Sequence, residues 1–583
     1  MVTREEMALI LRRIAQLLEL QGENPFKVRA YSQGADAVEG YCGDIVDQAF
    51  RGELQGIPGI GEALSKKLHE LAVTGRLEFW EKLRAPYPDT IFELFELQGL
   101  GAKKIKALHQ ALGVDSVERL KQVCESGEAA TLSGFGEKSV GKILQAIGLR
   151  ESHAGRFLLL EALSVADEIL GALQAEPACG RAALAGSARR GKETVHDLDF
   201  VVASRDPIAM MECFVHQPSV AEVVARGETK ASVRLRNGQL CDLRVVTNNE
   251  FPFALNYFTG SKEHNVALRG RALKRGLTLN EYRIAPVDPE GASLPPIHTE
   301  EDLYRALELD FVEPELRENM GEIEAAELGE MPRLVELMNL RGTFHTHTTA
   351  SDGRNTLREM ALAAQELGLS YLGIADHSKS SVQANGLNEE RLREQMEEIA
   401  SLNAEFGPDF RLFSGTEVDI LRNGSLDFPD SMLAELDYVV ASVHSVFQLS
   451  EKEMTERILS AVASPHVTML GHLTGRLLLQ REPYPVNIPA VIEACAANGT
   501  WIELNGHPQR LDLDWRWWKL AKEKGVRCVI TPDAHRSGDL QYLHFGVIAA
   551  RKGWLTSGDV VNCLPVGEVK KALNEKHRKL LGA

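Results

Sequence analysis

From residue 341 to 583 the chain alternates short apolar runs with helical stretches, the pattern of parallel β/α units. The way those runs end is the strongest constraint in the sequence. The run at 343–344 leads to His345 and His347, 371–375 to Asp376 and His377, and 412–413 through Gly415 to Glu417. The runs at 438–443 and 467–471 lead to His444 and His472, 500–504 to Asn505 and His507, and 528–531 to Asp533 and His535. Seven predicted strands thus end in metal-ligand residue types. In a β/α barrel the C-terminal strand ends meet at one mouth, so these side chains converge although about 190 residues separate the first from the last. A lone histidine is more often a core or surface residue. Seven such endings in phase point to a metal centre.

At 583 residues the chain exceeds what one hydrophobic core organises, and roughly two to four domains are expected. Its 44% apolar and 25% charged content belongs to a globular protein and excludes a disordered class. No uncharged apolar stretch reaches about 18 residues, and Arg4, Glu5, Glu6, Arg12, Arg13 and Glu19 charge the first turns. Neither a spanning helix nor a secretory signal is predicted, and a cytoplasmic location is expected. Eight cysteines without a CxxC pair argue against a disulfide framework or a cysteine zinc site and are read as reduced thiols. The net charge of −18 is unevenly placed: residues 1–300 hold 36 Lys+Arg against 40 Asp+Glu, and residues 301–583 hold 29 against 43. Ten of the 17 histidines lie in that acidic second half, where acid plus imidazole suits bound divalent metal. Overall acidity does not exclude DNA, because local basic clusters and backbone amides can carry the contact.

Three N-terminal segments repeat one pattern: LQGIPGIG at 54–61, LQGLG at 97–101 and LSGFG at 132–136, each before a Lys-bearing helical stretch. A Gly-apolar-Gly turn opening a helix leaves backbone N–H groups at the positive end of the dipole, which suits a phosphate oxygen without base recognition. One copy would read as a tight turn in a bundle. Three copies resemble helix-hairpin-helix modules, with Gly59, Gly61, Gly99 and Gly101 as DNA-contacting positions.

The segments NPFKVRAY at 24–31 and IPGIGEALSKK at 57–67, followed by TGRL at 74–77, resemble the small DNA-end-binding domain of DNA polymerase beta. The resemblance implies that Lys27 and Tyr31 bind a 5′-phosphate and makes Lys67 the candidate lyase nucleophile, forming a Schiff base with a 5′-deoxyribose phosphate. A neighbouring family lysine is replaced by Ala63. Schiff-base chemistry needs a neutral amine, and Lys66 is a neighbouring cation that could depress the Lys67 pKa.

In GSARRGKETVHDLDFVV at 186–202, Asp197 and Asp199 open an apolar run, and residues two apart on a strand share a face. Asn237-Gly238 in VRLRNGQLCDLRVV at 233–246 is a strong hairpin signal and places Asp242 on the returning strand. Three carboxylates at one sheet edge can hold two Mg²⁺ or Mn²⁺ ions, one activating a primer 3′-hydroxyl and the other neutralising a nucleoside triphosphate. Gly186, Ser187, Arg189 and Arg190 offer donors to that triphosphate. The constellation is similar to the nucleotidyltransferase palm of family X polymerases. In YFTGSKEHNVALR at 257–269 the resemblance implies a sugar-reading turn with Tyr257, Phe258 and Gly260, a nucleotide contact at Asn265, and a template-strand contact at Arg269. His196 departs from the Gly that polymerase beta-like members carry there.

His345 and His347, Ser351-Asp352-Gly353, Asp376-His377, Glu417 and Asp533-Ala534-His535 resemble the PHP (polymerase and histidinol phosphatase) family. The resemblance implies the ligands His345, His347, Asp352, His377, Glu417, His444, His472, Asp533 and His535, holding two or three divalent ions. Mixed imidazole and carboxylate ligation suits Mn²⁺, Zn²⁺ or Fe²⁺ better than Mg²⁺. Asp376 and His507 are candidates to orient ligands, and Arg476 and Arg510 to grip substrate phosphate.

These features predict a multidomain protein. A helical DNA-end-binding domain at 1–85 and further helix-hairpin-helix repeats at 86–150 precede an α+β nucleotidyltransferase palm with a thumb-like subdomain at 151–325. A linker at 326–340 leads to a distorted (β/α)7 PHP barrel at 341–583. The expected protein is a monomer that takes gapped or primed DNA and dNTPs, fills short gaps in repair, and carries a Mn-dependent 3′–5′ exonuclease or 3′-end-processing activity. A PHP-type small-molecule phosphatase fused to a DNA-binding module, or a non-catalytic DNA-end scaffold, would not need the acids at 197, 199 and 242.

Overall fold

The computed structural model describes residues 2–41, 44–57, 59–97, 99–288 and 294–580, which form two compact units, Met1–Ala154 and Gly155–Ala583. The first is helical throughout its described residues. Helix Arg4–Gln21 opens on a capping box between Thr3 and Glu6 and stops at Gly22, whose φ of 82° lies in the left-handed region. Its apolar positions Leu11, Ile14 and Leu18 recur every three or four residues and are buried in one core with Ala35, Leu64 and Leu68. Each such burial stabilises the unit by about 1.5–3 kcal/mol.

The three repeated turns share one geometry. Gly59, Gly99 and Gly134 have φ of 87°, 81° and 90°, values that disfavour any side chain, and two residues later Gly61, Gly101 and Gly136 cap helices Glu62–Thr74, Ala102–Leu112 and Glu137–Ser152. None of those caps has a side-chain hydrogen bond. A Cβ built at any of the three would meet nothing within 4 Å, so the helix entrances stay open to an approaching ligand.

The second unit begins with a five-stranded sheet in the order Cys179–Leu184, Asp197–Ser204, Leu240–Val246, Lys230–Leu235 and Val220–Arg226. Alternation sorts strand Asp197–Ser204: Phe200 and Val202 join the core under helices Leu159–Ala175 and Pro207–Val215, while Val201 and Ala203 pack with Phe251 and Ala254 of helix Phe251–Thr259. Asp197 and Asp199 are in phase with the second pair. Helices Lys262–Lys274, Glu300–Ala306 and Glu322–Leu328 then gather around Leu268, Leu303, Tyr304 and Ile323. Inside them His264 is fully buried, 2.7 Å from both the Glu322 carboxylate and the Tyr304 hydroxyl.

The last sheet has seven parallel strands in strict sequence order, from Gly342–Thr346 to Cys528–Thr531, and a parallel bridge from Thr346 to Ala534 brings its ends together. Phe344, Tyr371, Phe413, Tyr438 and Trp501 fill one apolar cluster, with the Phe344 and Tyr438 rings 5.0 Å apart. The stretch 326–340 is docked on this barrel: Leu334 and Val335 are buried, and the Val335 N–H donates to the Leu555 carbonyl at 2.9 Å. The apolar core runs from the palm side chains Leu159 and Phe214 into barrel side chains such as Ile374 and Ile530 without interruption. No disulfide joins the seven described cysteines, and Cys42 lies outside the described residues. Among the described residues no helix is long and apolar enough to cross a membrane.

Candidate functional site

The three palm acids meet as their spacing predicts. Strands Asp197–Ser204 and Leu240–Val246 pair in parallel with Asp199 directly opposite Asp242, and Asp197 precedes by one two-residue period. Burial, then the charges of Asp197 and Asp242, push the Asp199 carboxyl up to about 7. Lys230 Nζ, 2.8 Å from Asp242 Oδ2, offsets part of that repulsion. A buried carboxyl whose ionisation is opposed by two neighbouring carboxylates is one that a divalent cation relieves, so the residues fit the expected ions. Gly186 has φ of 64°, and a Cβ there would fall 2.1 Å from Asp199 Oδ2. Only glycine lets the backbone abut that carboxylate.

Around the acids stand the nucleotide-side candidates. The Arg190 guanidinium donates from Nη1 to the Thr259 carbonyl at 2.5 Å and from Nε to Glu318 at 3.0 Å. Arg189 reaches the Thr259 hydroxyl and Glu300, both at 2.6 Å. Both arginines therefore grip the turn that holds Gly260. Ser187 accepts the Lys192 N–H on its carbonyl at 3.0 Å. Tyr257 and Phe258 pack edge to face at 5.2 Å, and Asn265 Nδ2 donates to the Tyr257 carbonyl at 2.7 Å. Arg269, one turn on, is exposed. The His196 ring, exposed beside Asp197, lies against Gly155.

In the first unit Tyr31 is 7% exposed and its ring stacks on Phe79 at 5.9 Å. Lys67 and Lys27 reach the same ring from 5.1 and 5.9 Å. Lys66 points instead into solvent, paired with Glu62 at 2.7 Å. Lys66, Lys67 and Lys82 line one open pocket with Glu62, Glu70, Glu78 and Phe79, so the candidate nucleophile Lys67 sits in a hollow of balanced charge whose Phe79 ring also meets Lys27 and Tyr31. Phe79 was not among the sequence candidates; its only signal was its place just after TGRL.

The barrel mouth gathers eight of the nine expected ligands into three adjoining groups whose donor atoms lie within 4.8 Å of one another. They are His347, Asp352, His377 and His535; His345, His347 and Asp533; and His377, Glu417 and His444. His472, the ninth, stands 2.9 Å from Glu417 Oε1. Glu417 is the hub: His345, His377 and His444 also approach it at 3.2, 2.9 and 3.1 Å. Burial alone would raise its carboxyl, and His444, His345 and His377 outweigh that and hold it well below the usual range. Burial, then His535 and His377, depress the His347 imidazole to about 4, which keeps it neutral and ready to ligate. Neither ring nitrogen of this fully buried residue makes an aligned hydrogen bond. Such orphaned imidazole nitrogens, facing carboxylates, fit divalent ions. His345 and Asp533 hold φ of 59° and 49°, strained for residues with a Cβ, and their surroundings impose it.

The side chains that orient the ligands differ from those expected. Glu503 Oε1 accepts the His345 Nδ1–H at 2.5 Å and the Thr531 hydroxyl at 2.5 Å; Asp419 accepts the His444 Nδ1–H at 2.9 Å. Asn505 donates to Asp533 at 3.0 Å, and Arg510 Nε pairs with the same Asp533 oxygen at 3.2 Å. Asp376 bonds no ligand side chain: it accepts the Thr348 N–H at 2.8 Å and braces the loop between His347 and Asp352. The His507 Nδ1 accepts the Gln509 N–H at 3.3 Å instead of turning to a ligand. Arg476 is buried and committed to Asp514 at 2.7 Å and to the Arg510 carbonyl at 2.8 Å, so the phosphate role expected of it does not hold. Glu503 and Asp419 had a legible signal, since each lies two residues from a mouth residue on the same strand, Asn505 and Glu417.

Comparison with known proteins agrees with this geometry. Family models match a helix-hairpin-helix domain at residues 3–77, a SAM-like helix-hairpin-helix tandem at 91–148, a DNA polymerase beta thumb at 254–318 and a PHP domain at 343–507. The DNA polymerase/3′-5′ exonuclease PolX of Bacillus subtilis (strain 168) is 38% identical over 98% of this chain and 99% of its own length. A probable phosphatase of Thermoanaerobacter sp. (strain X514) is 30% identical over 41% of this chain and 96% of its own length. Another from Acetivibrio thermocellus is 30% identical over 33% of this chain and 78% of its own length. With one relative matched end to end and both halves of the site present, the chain belongs to the bacterial family X DNA polymerases that carry a C-terminal PHP domain.

Proposed function

We infer that the protein is a DNA-directed DNA polymerase that fills short gaps in repair, and that its barrel is a Mn-dependent 3′–5′ exonuclease that cleans 3′ ends. The observation that carries the reading is Asp199 facing Asp242 across paired strands, in one chain with a histidine-rich barrel mouth. Divalent ions supply charge neutralisation and Lewis acidity at both centres when bound, Mg²⁺ or Mn²⁺ at the palm and two or three of Mn²⁺, Zn²⁺ or Fe²⁺ at the barrel.

At the palm, Asp197, Asp199 and Asp242 hold the ions. Gly186, Ser187 and Arg190 face the triphosphate, Tyr257, Phe258 and Gly260 read the sugar, and Asn265 fixes that turn through the Tyr257 carbonyl. Arg269 contacts the template strand. In the N-terminal unit Lys27, Tyr31, Gly59, Gly61, Gly99 and Gly101 bind DNA, and Lys67 is the candidate lyase nucleophile. At the barrel mouth His345, His347, Asp352, His377, Glu417, His444, His472, Asp533 and His535 are the ligands, and Arg510 meets the substrate phosphate. The protein works as a cytoplasmic monomer.

The test is primer extension and degradation on one gapped DNA with the metal varied. Gap filling with Mg²⁺ and dNTPs, and shortening of the 3′ end with Mn²⁺ when dNTPs are withheld, are expected. The phosphatase names of the barrel's relatives favour a second reading, hydrolysis of a small phosphomonoester, which predicts no dNTP incorporation.

A further inference from the structure

The palm turn that carries Arg190 is held from behind by the barrel. Lys552, the last residue of barrel helix Leu543–Lys552, has a fully buried side chain whose Nζ lies 2.6 Å from Glu318 Oε1. The same ammonium donates to the carbonyl of Arg190 at 3.0 Å and to that of Glu315 at 3.2 Å. Glu318 in turn holds Arg190 Nε at 3.0 Å and Lys192 Nζ at 3.0 Å. Trp515 of the barrel lies beneath both lysines, with Lys552 Nζ 4.6 Å and Lys192 Nζ 5.2 Å from its ring. Between the two cations of the turn, Gly191 has φ of 65°, and a Cβ there would fall 2.3 Å from Ile548 Cγ2 of the barrel helix. No slack separates the turn from the helix.

One carboxylate thus gathers three cations, two from the palm turn and one from the barrel. Burial pulls the Lys552 ammonium down to about 8, against the attraction of Glu318, so it still carries its charge at neutral pH. A buried ammonium needs partners on every side, and here they are the turn's own backbone and its counter-ion. The free end of Arg190 reaches the Thr259 carbonyl, so a shift of the turn would move Arg190, Thr259 and Gly260 together.

We propose that Lys552 is a positioning residue for nucleotide addition, holding turn 186–192 in the shape that receives the triphosphate, so that the barrel sets dNTP affinity by contact and not through its metals. The proposal rests on the assignment of Gly186, Ser187 and Arg190 to the triphosphate.

The experiment measures single-nucleotide insertion into a gapped DNA with Mg²⁺, Mn²⁺-dependent 3′ degradation of the same DNA, and thermal melting, for the full chain and Lys552→Met, Lys552→Arg and Arg190→Ala. Lys552→Met is expected to raise the KM for dNTP about tenfold with kcat and degradation within about twofold, and Lys552→Arg to recover most of the loss. An unchanged KM in a folded Lys552→Met protein, with Arg190→Ala impaired, overturns the proposal and leaves the triphosphate assignment standing. An unchanged KM in Arg190→Ala removes that assignment and the proposal with it. Parallel loss of insertion, degradation and melting temperature in Lys552→Met, unrescued by arginine, reduces Lys552 to a structural contact. Should Lys552→Met fail to fold, Ile548→Ala opens space beside Gly191 without touching a charge, and a KM left unchanged by it counts against the proposal.

Discussion

Glu503 stands behind His345: its Oε1 lies 2.5 Å from His345 Nδ1, while His345 Nε2 faces Glu417 at 3.2 Å and Asp533 at 3.7 Å. One carboxylate therefore fixes which imidazole nitrogen is turned to the mouth, and sharpens the ring's basicity. Glu503→Gln keeps the shape and weakens the bond. Metal affinity at the barrel is expected to fall about 10–100-fold, so that degradation needs more Mn²⁺, with gap filling unaltered. Titrating degradation activity against Mn²⁺ checks it, and an unshifted curve would remove Glu503 from the metal centre.

Asp242→Asn should abolish nucleotide addition and leave 3′ degradation measurable, because one lost carboxylate weakens the two-ion clamp without opening the core. Asp242 is partly exposed and its neighbours Cys241 and Leu243 make the buried contacts. Full extension by a folded Asp242→Asn protein would falsify the palm assignment.

Asp199 supplies a pH dependence. Its carboxyl is raised by burial and by Asp197 and Asp242 to about 7, and ligation requires the ionised form. Protons and Mg²⁺ compete for the site below that pH. The Mg²⁺ concentration for half-maximal insertion should rise about tenfold per pH unit as pH falls beneath 7, and level off above it. The curve is measured at saturating dNTP; a half-maximal Mg²⁺ requirement independent of pH across 7 contradicts the shared charge of the three acids.

His345→Ala combined with His347→Ala should remove degradation while extension on a short gap persists, since the palm acids lie on a different sheet. Glu503, Glu417 and Asp533 then lose buried partners, so melting should fall as well. Chelation of the wild type is expected to act in the same direction, because ions that bind the folded mouth stabilise it. Wild-type degradation by the purified double mutant would sink the barrel-mouth site.

Lys67 should be trapped by borohydride on an incised abasic site. Its ammonium lies over Phe79 and its neighbour Lys66 is drawn off by Glu62. Undiminished trapping in Lys67→Ala assigns the chemistry to another amine. Absence of any trapping makes the unit an end-binding module alone.

Much of this protein was legible before any coordinates. Period-two spacing is a local property of a strand, so Asp197 and Asp199 necessarily share a face, and the Asn237-Gly238 turn folds Asp242 back opposite Ser232, whereas the parallel pairing that sets Asp242 beside Asp199 was decided by the tertiary structure. Parallel β/α order likewise sends every strand end to one mouth, which is why convergence of the strand-end residues from His345 to His535 could be expected from where apolar runs stop, while the set of nine ligands, Asp352 among them, came from the resemblance to the PHP family. The helix-hairpin-helix glycines followed from the same logic, since a positive φ two residues before a helix is a requirement of the turn itself. What only the tertiary structure decided were pairings between segments remote in sequence. Glu503 with His345, Arg476 with Asp514, and Lys552 with Glu318 join residues 38 to 234 positions apart, and no local pattern encodes such partners. A buried charge takes whichever partner the packed fold brings within reach. That is why Arg476 became a structural strut and Glu503 an orienting base, although the sequence alone recommended the opposite emphasis.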